Sequence, residues 1–579
     1  MKNVDVLIVG AGPTGLTLAC DLLRRGVSVA LIDEQSAPRE GSRAIAVHAR
    51  TLELLEPLGI ADRLVSKGKA VTGVTVWAAG EPVVRADFDE LDSRFKHLLV
   101  LGQGELEGVL VELLGGLGGS VDRGAKLASF RQDGTGVTAT IERSGPAPAE
   151  GEAPSGEARS STTEQIRAAW LVGTDGAESV VRTQLEVPFE GESFEDEYIL
   201  ADVKIAWDMR DDRVHAFFGE SGLVACFPMV EGRHRVIASL PPEARANKAD
   251  PTLDDVQTLF ALNTTANGKL AEPSWITRFK LHARQVARYR DDRVFLAGDA
   301  AHVHSPLGAQ GLNAGVQDAL NLGWKLALVH SGRARGLLLD TYQEERHAAT
   351  RAVLRNSDAA TRVSNVKSAA IKTMRNELGR LLGSIELFQQ RVAKDVAELS
   401  VSYERSSIVR EDKTSLLNAR LGSAAGGDTP TIGSVREFAA VACAGQRAPE
   451  GRATIAGQGG TRRIYEVLDG KKLALFLFDG RSSTTEGYER FKEILREVRA
   501  RFGHSVDAWV VTPQRARPEG LLTDVPVLLD PDGELEKKYA ASTECLYVIR
   551  PDLYIGYRSQ PAEGDKLLEY LGQTLRKGA

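Results

Sequence analysis

Cysteine is scarce in this sequence: four residues, Cys20, Cys226, Cys443 and Cys545, are spread over 579 positions. No two form a Cys-x-x-Cys pair, and none falls with histidine at zinc-ligand spacing. A disulfide framework and a structural metal are therefore excluded, and a reducing, cytoplasmic setting is expected. No apolar run approaches the ~18 residues expected of a membrane helix, so none is expected. The apolar start at residues 4–9 is no secretory signal, because Asp5 stands where a positive region belongs and glycines follow instead of a cleavage site. Positive charge is not in excess either. The balance of 72 Lys+Arg against 79 Asp+Glu gives a formal net charge of −7, which offers no basic footprint for nucleic acid. No tandem repeat is present. With 42% hydrophobic residues the chain has the apolar content of a packed interior, which excludes disorder as the dominant state.

Glycine is what the sequence has in quantity, 57 residues without a Gly-X-Y period. The first cluster follows VDVLIV (4–9), a continuous run that fits a parallel strand buried on both faces. GAGPTG (10–15) comes next, then an amphipathic helical pattern over 16–25 stopped by Gly26, then VSVALID (27–33), a second buried strand. These elements form a β-α-β unit. The pattern G-x-G-x-x-G alone is a weak signal; its meaning comes from the strand before it, the helix after it and the acidic end of the next strand. Gly10 allows the tight turn, and Gly12, beside Pro13, lets backbone approach a pyrophosphate at the positive helix N-terminus. Gly15 lets helix and strand pack closely. Asp33 is the expected ribose acceptor, with Glu34 beside it as the alternative. The fingerprint itself serves NAD or FAD.

Further along, 71–80 and 81–88 alternate like an antiparallel pair, 103–114 is helix-like, and strands are expected near 120–142. Residues 144–165 are too polar and too rich in Pro, Gly and Ser to pack, and are expected to be a surface insertion between two hairpin strands. A second antiparallel block spans about 186–280. VFLAGDA (294–300) is another buried strand with a glycine turn, and long helices are expected from about 311 to 400. After a small-residue, polar stretch, KLALFLF, a helix over about 485–502 and SVDAWVVT repeat the α/β pattern in a C-terminal unit.

Three further features recur in order. GSRAIAVHARTLELL places Arg43 soon after the second strand, and LVGTDGAESVVR places Asp175 and Gly176 at a strand end. VFLAGDAAHVHSPLGAQGLNAGVQDALNLGWKLA (294–327) carries Gly298 and Asp299, then Pro306, Gly308, Gly311 and Asn313. Together with GAGPTG these motifs resemble the FAD-dependent class A aromatic hydroxylases, the para-hydroxybenzoate and phenol hydroxylase superfamily. The likeness is greatest to the phenol and polyketide hydroxylase branch, which carries a thioredoxin-like C-terminal domain. It is strong over about 1–350 and holds in outline over 430–579.

The resemblance implies an α/β fold in which a Rossmann-like FAD-binding domain is interleaved with a mixed or antiparallel β-sheet substrate domain. The FAD-binding body with its following helices would take 1–72, 101–185 and 281–400, and the substrate domain 73–100 and 186–280. A linker at 401–445 and a thioredoxin-like α/β domain at 446–579, lacking Cys-x-x-Cys and with a structural or dimer-contact role, would follow. The implied activity is a monooxygenase in which NAD(P)H reduces FAD and a flavin C4a-hydroperoxide passes one oxygen atom from dioxygen to a phenolic or polycyclic aromatic substrate. Such chemistry belongs largely to the cofactor. By the same resemblance Asp299 would bind the ribityl hydroxyls, and Arg43 and Gln103 the diphosphate or ribityl region. Asp175 would serve FAD and NAD(P)H. The stretch Pro306 to Asn313, with Gly308, Gly311 and Leu312, would present backbone N–H groups to the ring edge. Arg43, Pro306 and Asn313 would thus shape the flavin environment.

Phe217, Phe227 and Met229 are candidates for an apolar substrate wall, although their strand spacing favours ordinary core packing. His215, His48, His302 and His304 are candidates for phenol deprotonation, each with a structural role as the commoner alternative. Tyr198 and Tyr289 are candidate ligand donors. Implied partners are a small aromatic substrate and dioxygen, without nucleic acid or membrane, and a homodimer. Two departures stand out. Ala309 sits where many relatives have glycine, and His347-Ala348 follows Glu345-Arg346 where relatives have a bulky residue and proline, so the helix is expected to continue. A halogenase is disfavoured because all six tryptophans are isolated. Baeyer-Villiger or ring-opening oxygenation on the same scaffold, and a non-catalytic flavin-binding assembly protein, are the remaining alternatives.

Overall fold

The structure is a computed structural model. It describes residues 1–38, 41, 45–143, 162–219, 222–246, 249–304, 308–364, 386–413, 432–481 and 485–578. The chain divides into two compact units. One comprises Met1–Leu52, Ile60–Leu320 and Thr350–Glu398, the other Glu53–Gly59, Asn321–Ala349 and Leu399–Ala579.

In the first unit the expected β-α-β start forms. Strand Lys2–Val9 lies between parallel strands Val29–Asp33 and Thr162–Gly173. A strand flanked on both sides must be apolar on both faces, and Val6, Leu7 and Ile8 are fully buried. Val294–Leu296 adds in parallel beside Thr162–Gly173, and Val121–Arg123 beside Val29–Asp33. Four motif segments therefore leave the carboxyl ends of neighbouring parallel strands: the glycine loop, Asp33, Thr174-Asp175 and the Gly298–Ala300 turn. That edge is where open α/β sheets bind ligands. The polar insertion is flanked by Gly136–Arg143 and Thr162–Gly173, antiparallel with Arg143 opposite Thr162; residues 144–161 lie outside the described residues.

The second sheet of this unit is mixed. Its order is His302–Val303, Lys269–Val286, Phe189–Ala206, Arg233–Leu240, Leu223–Pro228, Arg213–Phe218, Gly73–Ala78 and Glu81–Asp87. All pairings are antiparallel except Arg213–Phe218 with Gly73–Ala78. One face is covered by helix Leu253–Asn263, whose Val256, Leu259 and Phe260 pack on Ile199, Val203, Phe217, Val224, Val236 and Leu240. A capping box at Thr252 and Asp255 starts that helix.

The second unit is built on a mixed sheet in which Leu473–Phe478 and Val506–Thr512 pair in parallel across helix Thr485–Phe502. Cys545–Ile549 and Ile555–Gln560 form an antiparallel hairpin beside them, and helix Gly564–Thr574 follows. The stretch expected as a linker takes part in this unit. Arg410–Lys413 pairs in parallel with Ile555–Gln560, and Phe438 of helix Ile432–Ala440 is buried beneath the Arg558 guanidinium, 4.2 Å from its ring centre. Trp324, Leu328 and Leu338, expected with the FAD-binding body, join the core of this unit with Leu475, Leu495 and Tyr557. Helix Asp340–Ser364 runs unbroken through His347-Ala348, since no proline interrupts its hydrogen bonds. Among the described residues no helix is long and apolar enough to cross a membrane.

Candidate functional site

The glycine loop separates its glycines by what each must accommodate. Gly10 has φ +101°, and a Cβ there would strike the Thr174 carbonyl oxygen. Its N–H donates to Ile32 O at 2.8 Å. A Cβ on Gly15 would strike Gly10 O and stand 2.6 Å from Thr174 Oγ1, a hydroxyl that itself donates to Val9 O or Gly10 O. Gly12 differs, because a Cβ there would meet no protein atom within 4 Å. The protein's own packing thus requires glycine at 10 and 15 but not at 12. Gly12 is the N-cap of helix Pro13–Arg24, gives it no side-chain cap, and is followed by Pro13 in the first turn. A helix start with unsatisfied amides and open approach suits an anionic diphosphate. Asp33 Oδ2 accepts from Ala11 N at 2.7 Å and Oδ1 from Gln35 N at 2.8 Å. Asp33 is therefore built into the loop, whereas Glu34 is exposed and accepts the Gln35 side-chain amide.

The Gly298–Ala300 turn is locked onto the same helix. Gly298 has φ +60°, and a Cβ on it would stand 2.6 Å from Thr14 Oγ1; a Cβ on Gly315 would also strike that hydroxyl. Thr14 is thus wedged between the glycine turn and helix Gly311–His330. Asp299 lies exposed on the turn. Asp175 turns back on its own segment. It accepts from Ser179 Oγ at 2.6 Å and from Val180 N and Val181 N at 2.8 and 3.1 Å, capping helix Val180–Gln184. Burial raises its carboxyl above the ordinary range despite those bonds. Arg182 ties this helix to the turn, donating to Ala300 O at 3.2 Å. Gln103 opens helix Gln103–Gly116 and donates to Glu107 at 2.7 Å.

Gly308 has φ +120°, and Ala309 has φ +54°, a left-handed conformation that costs an L-residue roughly 1–2 kcal/mol. Helix Gly311–His330 starts two residues later. Its first amides, at Gly311 and half-buried Leu312, precede the bond from Ala314 N to Gln310 O, so they are the backbone donors of this loop. Asn313 does not present its side chain to a ligand. Its Oδ1 accepts from His48 N at 2.9 Å and its Nδ2 donates to Ala46 O and Ala309 O at 2.8 and 2.9 Å, so it pins the strained loop to strand Ala46–Val47. Arg43 and Pro306 lie outside the described residues.

His215 is a core residue. Trp77 Nε1 donates to its Nδ1 at 3.2 Å, which leaves the proton on Nε2, 2.9 Å from Arg210 O. Burial lowers its imidazole from the usual value, and both nitrogens are committed, so it is not placed as a base. Phe217 stacks on Trp77 at 5.9 Å in the helix-covered core. Phe227 belongs to the opposite face, which follows from strand alternation with Val224 and Cys226. That face also carries Ala225, Ile237 and Leu200, with Arg235 donating to Asp202 at 2.7 Å from two nitrogens. Met229 is half-buried just past its strand. Tyr198 is buried and stacks on Phe279 at 5.8 Å; Tyr289 accepts from Gln285 at 2.8 Å. Thr14, Thr174, Gly315, Arg182 and Asp318 were not singled out by sequence. Only Gly315, four residues after Gly311, carried even a faint local signal.

A family model described as an FAD binding domain matches residues 3–357. The chain is 32% identical to 6-methylpretetramide 4-monooxygenase of Streptomyces rimosus, over 96% of this chain and 91% of that protein. It is 30% identical to pentachlorophenol 4-monooxygenase of Sphingobium chlorophenolicum, over 99% and 97% respectively. The solved structure of OxyS anhydrotetracycline hydroxylase from Streptomyces rimosus superposes with a TM-score of 0.71 at 27% identity, covering 99% of both chains.

Proposed function

The chain belongs to the FAD-binding-domain family of flavin-dependent aromatic monooxygenases, and from that premise we propose that it inserts one atom of dioxygen into a phenolic or polycyclic, polyketide-like aromatic substrate with NAD(P)H as reductant. The observation that carries the proposal is a shared stretch of backbone. The Gly298–Ala300 turn of the cofactor edge continues directly into His302–Val303, the edge strand of the second sheet. The turn that would hold the cofactor and the sheet that would hold substrate are thus joined by a hydrogen-bonded strand rather than a free loop.

FAD, when bound and reduced, supplies the dioxygen chemistry. The chain's residues have the tasks of binding, orientation and water exclusion. Backbone at Gly12 and the first turn after Pro13 would receive the diphosphate, Asp33 a ribose, and Asp299 the ribityl chain. The amides of Gly311 and Leu312 would face the ring edge, where they oppose added negative charge. Phe227, Ala225, Ile237 and Leu200 supply the apolar side of the substrate region, and the paired Arg235 and Asp202 its polar anchor. Three buried cysteines and one half-buried fit a cytoplasmic setting.

The test is direct. The purified protein is expected to carry the visible spectrum of bound FAD. A screen of phenols and aromatic polyketides is expected to yield at least one that accelerates NAD(P)H consumption and oxygen uptake, with a hydroxylated product. A ring-expanded or ring-opened product would show Baeyer-Villiger chemistry instead, and bound FAD without any stimulated turnover would show an assembly protein.

A further inference from the structure

Three side chains beneath the Gly298–Ala300 turn form a chain that the cofactor contacts do not account for. Asp318, on helix Gly311–His330, and His302 are both fully buried. Asp318 Oδ2 accepts from Gly298 N at 3.0 Å and lies 2.6 Å from His302 Nε2. His302 Nδ1 lies 2.9 Å from His304 Nε2, with the two rings 4.9 Å apart. The proton positions follow from the acceptors. A carboxylate can only accept, so His302 carries its proton on Nε2; its Nδ1 then accepts from Nε2–H of His304. Every proton in the chain points inward, toward Asp318.

The chain lies between two elements of the cofactor edge. Its inner end holds the N–H of Gly298, one residue before Asp299. Its outer member, half-buried His304, stands 4.0 Å from where a Cβ on Gly311 would be, at the start of the helix whose first amides are the ring-edge donors. Tyr289 stacks on His302 at 6.0 Å. Among the described residues, charged groups beside the chain include Asp299 on the turn, Arg284 on the strand opposite, where it pairs with Val303, and Arg182 on the Ala300 carbonyl.

We propose that Asp318, His302 and His304 form a proton-holding relay that takes up one proton when the bound cofactor is reduced. The proposal rests on the FAD reading above. The hydride from NAD(P)H brings two electrons and one proton and leaves one added negative charge at the cofactor. The relay answers with a second proton, taken up at His304 Nδ1, a buried nitrogen not used within the chain, and passed along the existing hydrogen bonds, giving an imidazolium beside Asp318. No covalent bond other than N–H is made or broken in the relay. The imidazolium then opposes the added charge, and Asp318 keeps it from being an unpaired buried cation. His302 and Asp318 are positioning residues acting through the turn and the helix start.

The test is the reduction potential of the FAD-loaded protein against pH, read spectroscopically without substrate, in wild type and in His304→Gln and His302→Gln. Glutamine donates a hydrogen bond and holds no proton. A couple taking up one proton per two electrons shifts by about 30 mV per pH unit, a tenfold change in its equilibrium. Over at least one pH unit near neutrality the wild type is expected to show twice that slope, and each variant the single slope with FAD still bound. A wild type with the single slope throughout, or His304→Gln with the wild-type slope, overturns the relay. His304 is half-buried, so that variant decides the matter even where His302→Gln fails to fold. Absence of a flavin spectrum in the wild type would instead contradict the cofactor reading itself.

Discussion

At the residue scale the glycine loop separates two kinds of requirement. Gly10 and Gly15 are fixed by contacts within the protein, whereas Gly12 faces open space. Gly15→Ala is expected to lower the stability of the FAD-free protein by several kcal/mol, because the new methyl overlaps backbone. Gly12→Ala is expected to leave its Tm within about 2 °C yet weaken FAD binding at least ~10-fold, since the methyl would stand where the proposed site brings backbone to the diphosphate. Thermal melts with FAD titrations check both. His234 offers a second case. Its ring is buried against Trp207, and neither nitrogen has a hydrogen-bond partner among the described residues. Burial pushes its imidazole down to about 4, with Asp211 opposing and His215 and Lys69 adding to the shift. In the unfolded chain it titrates near 6.5. Between those values the unfolded state binds a proton that the folded state refuses, so stability falls as pH drops through about 6.5 toward 4. The loss is on the order of 3 kcal/mol. His234→Leu is expected to flatten that part of the denaturation profile. Gly10 and Gly15 stood out in sequence because their spacing is local to one β-α-β unit, although the contact that demands glycine at 10 is with distant Thr174. Thr14 did not, because its partners Gly298 and Gly315 lie some three hundred residues away.

At the element scale period and punctuation carried most of the information. The strand at 473–478 and the helix at 485–502 were readable because an apolar run and an amphipathic stretch are each set by their own spacing. Arg410–Lys413 was not readable: four charged residues have no strand pattern, and only pairing with Ile555–Gln560 makes them one. His215 stayed undecided between base and structural role for a related reason, since a histidine in a strand does not disclose which face it joins. The flanks of the polar insertion are in direct register at Arg143 and Thr162, and Arg143 also holds Asp122 and Glu164 at 2.5 to 2.6 Å. Replacing 144–161 by Asn-Gly, which suits a two-residue hairpin, is therefore expected to leave Tm within about 2 °C and FAD affinity unchanged. A large loss of either would show that the insertion belongs to the fold.

At the scale of the whole molecule, the second unit has a buried charge cluster at its centre. Glu345 accepts from Lys325 at 2.7 Å, from Arg550 at 2.6 and 2.7 Å, and from Asn321 and Ser406 at 2.7 Å, and Asp552 pairs with Arg550. Burial alone would raise the Glu345 carboxyl, but Arg550 and Lys325 outweigh it and hold it well below the usual range. Glu345→Gln leaves two cations poorly compensated. It is expected to cost about 3–5 kcal/mol, measured by denaturant unfolding. These residues come from 321–349 and 399–579 alike, whereas the resemblance implied a linker at 401–445 with a separate domain after it.

The central claim is oxygen insertion at a flavin held on the edge of the first sheet. Turnover under isotopically heavy dioxygen, with the aromatic substrate found by screening, tests it most directly. One heavy oxygen atom in each product molecule, with the other recovered in water, is the predicted result. A product carrying no heavy oxygen, or both atoms, would contradict it.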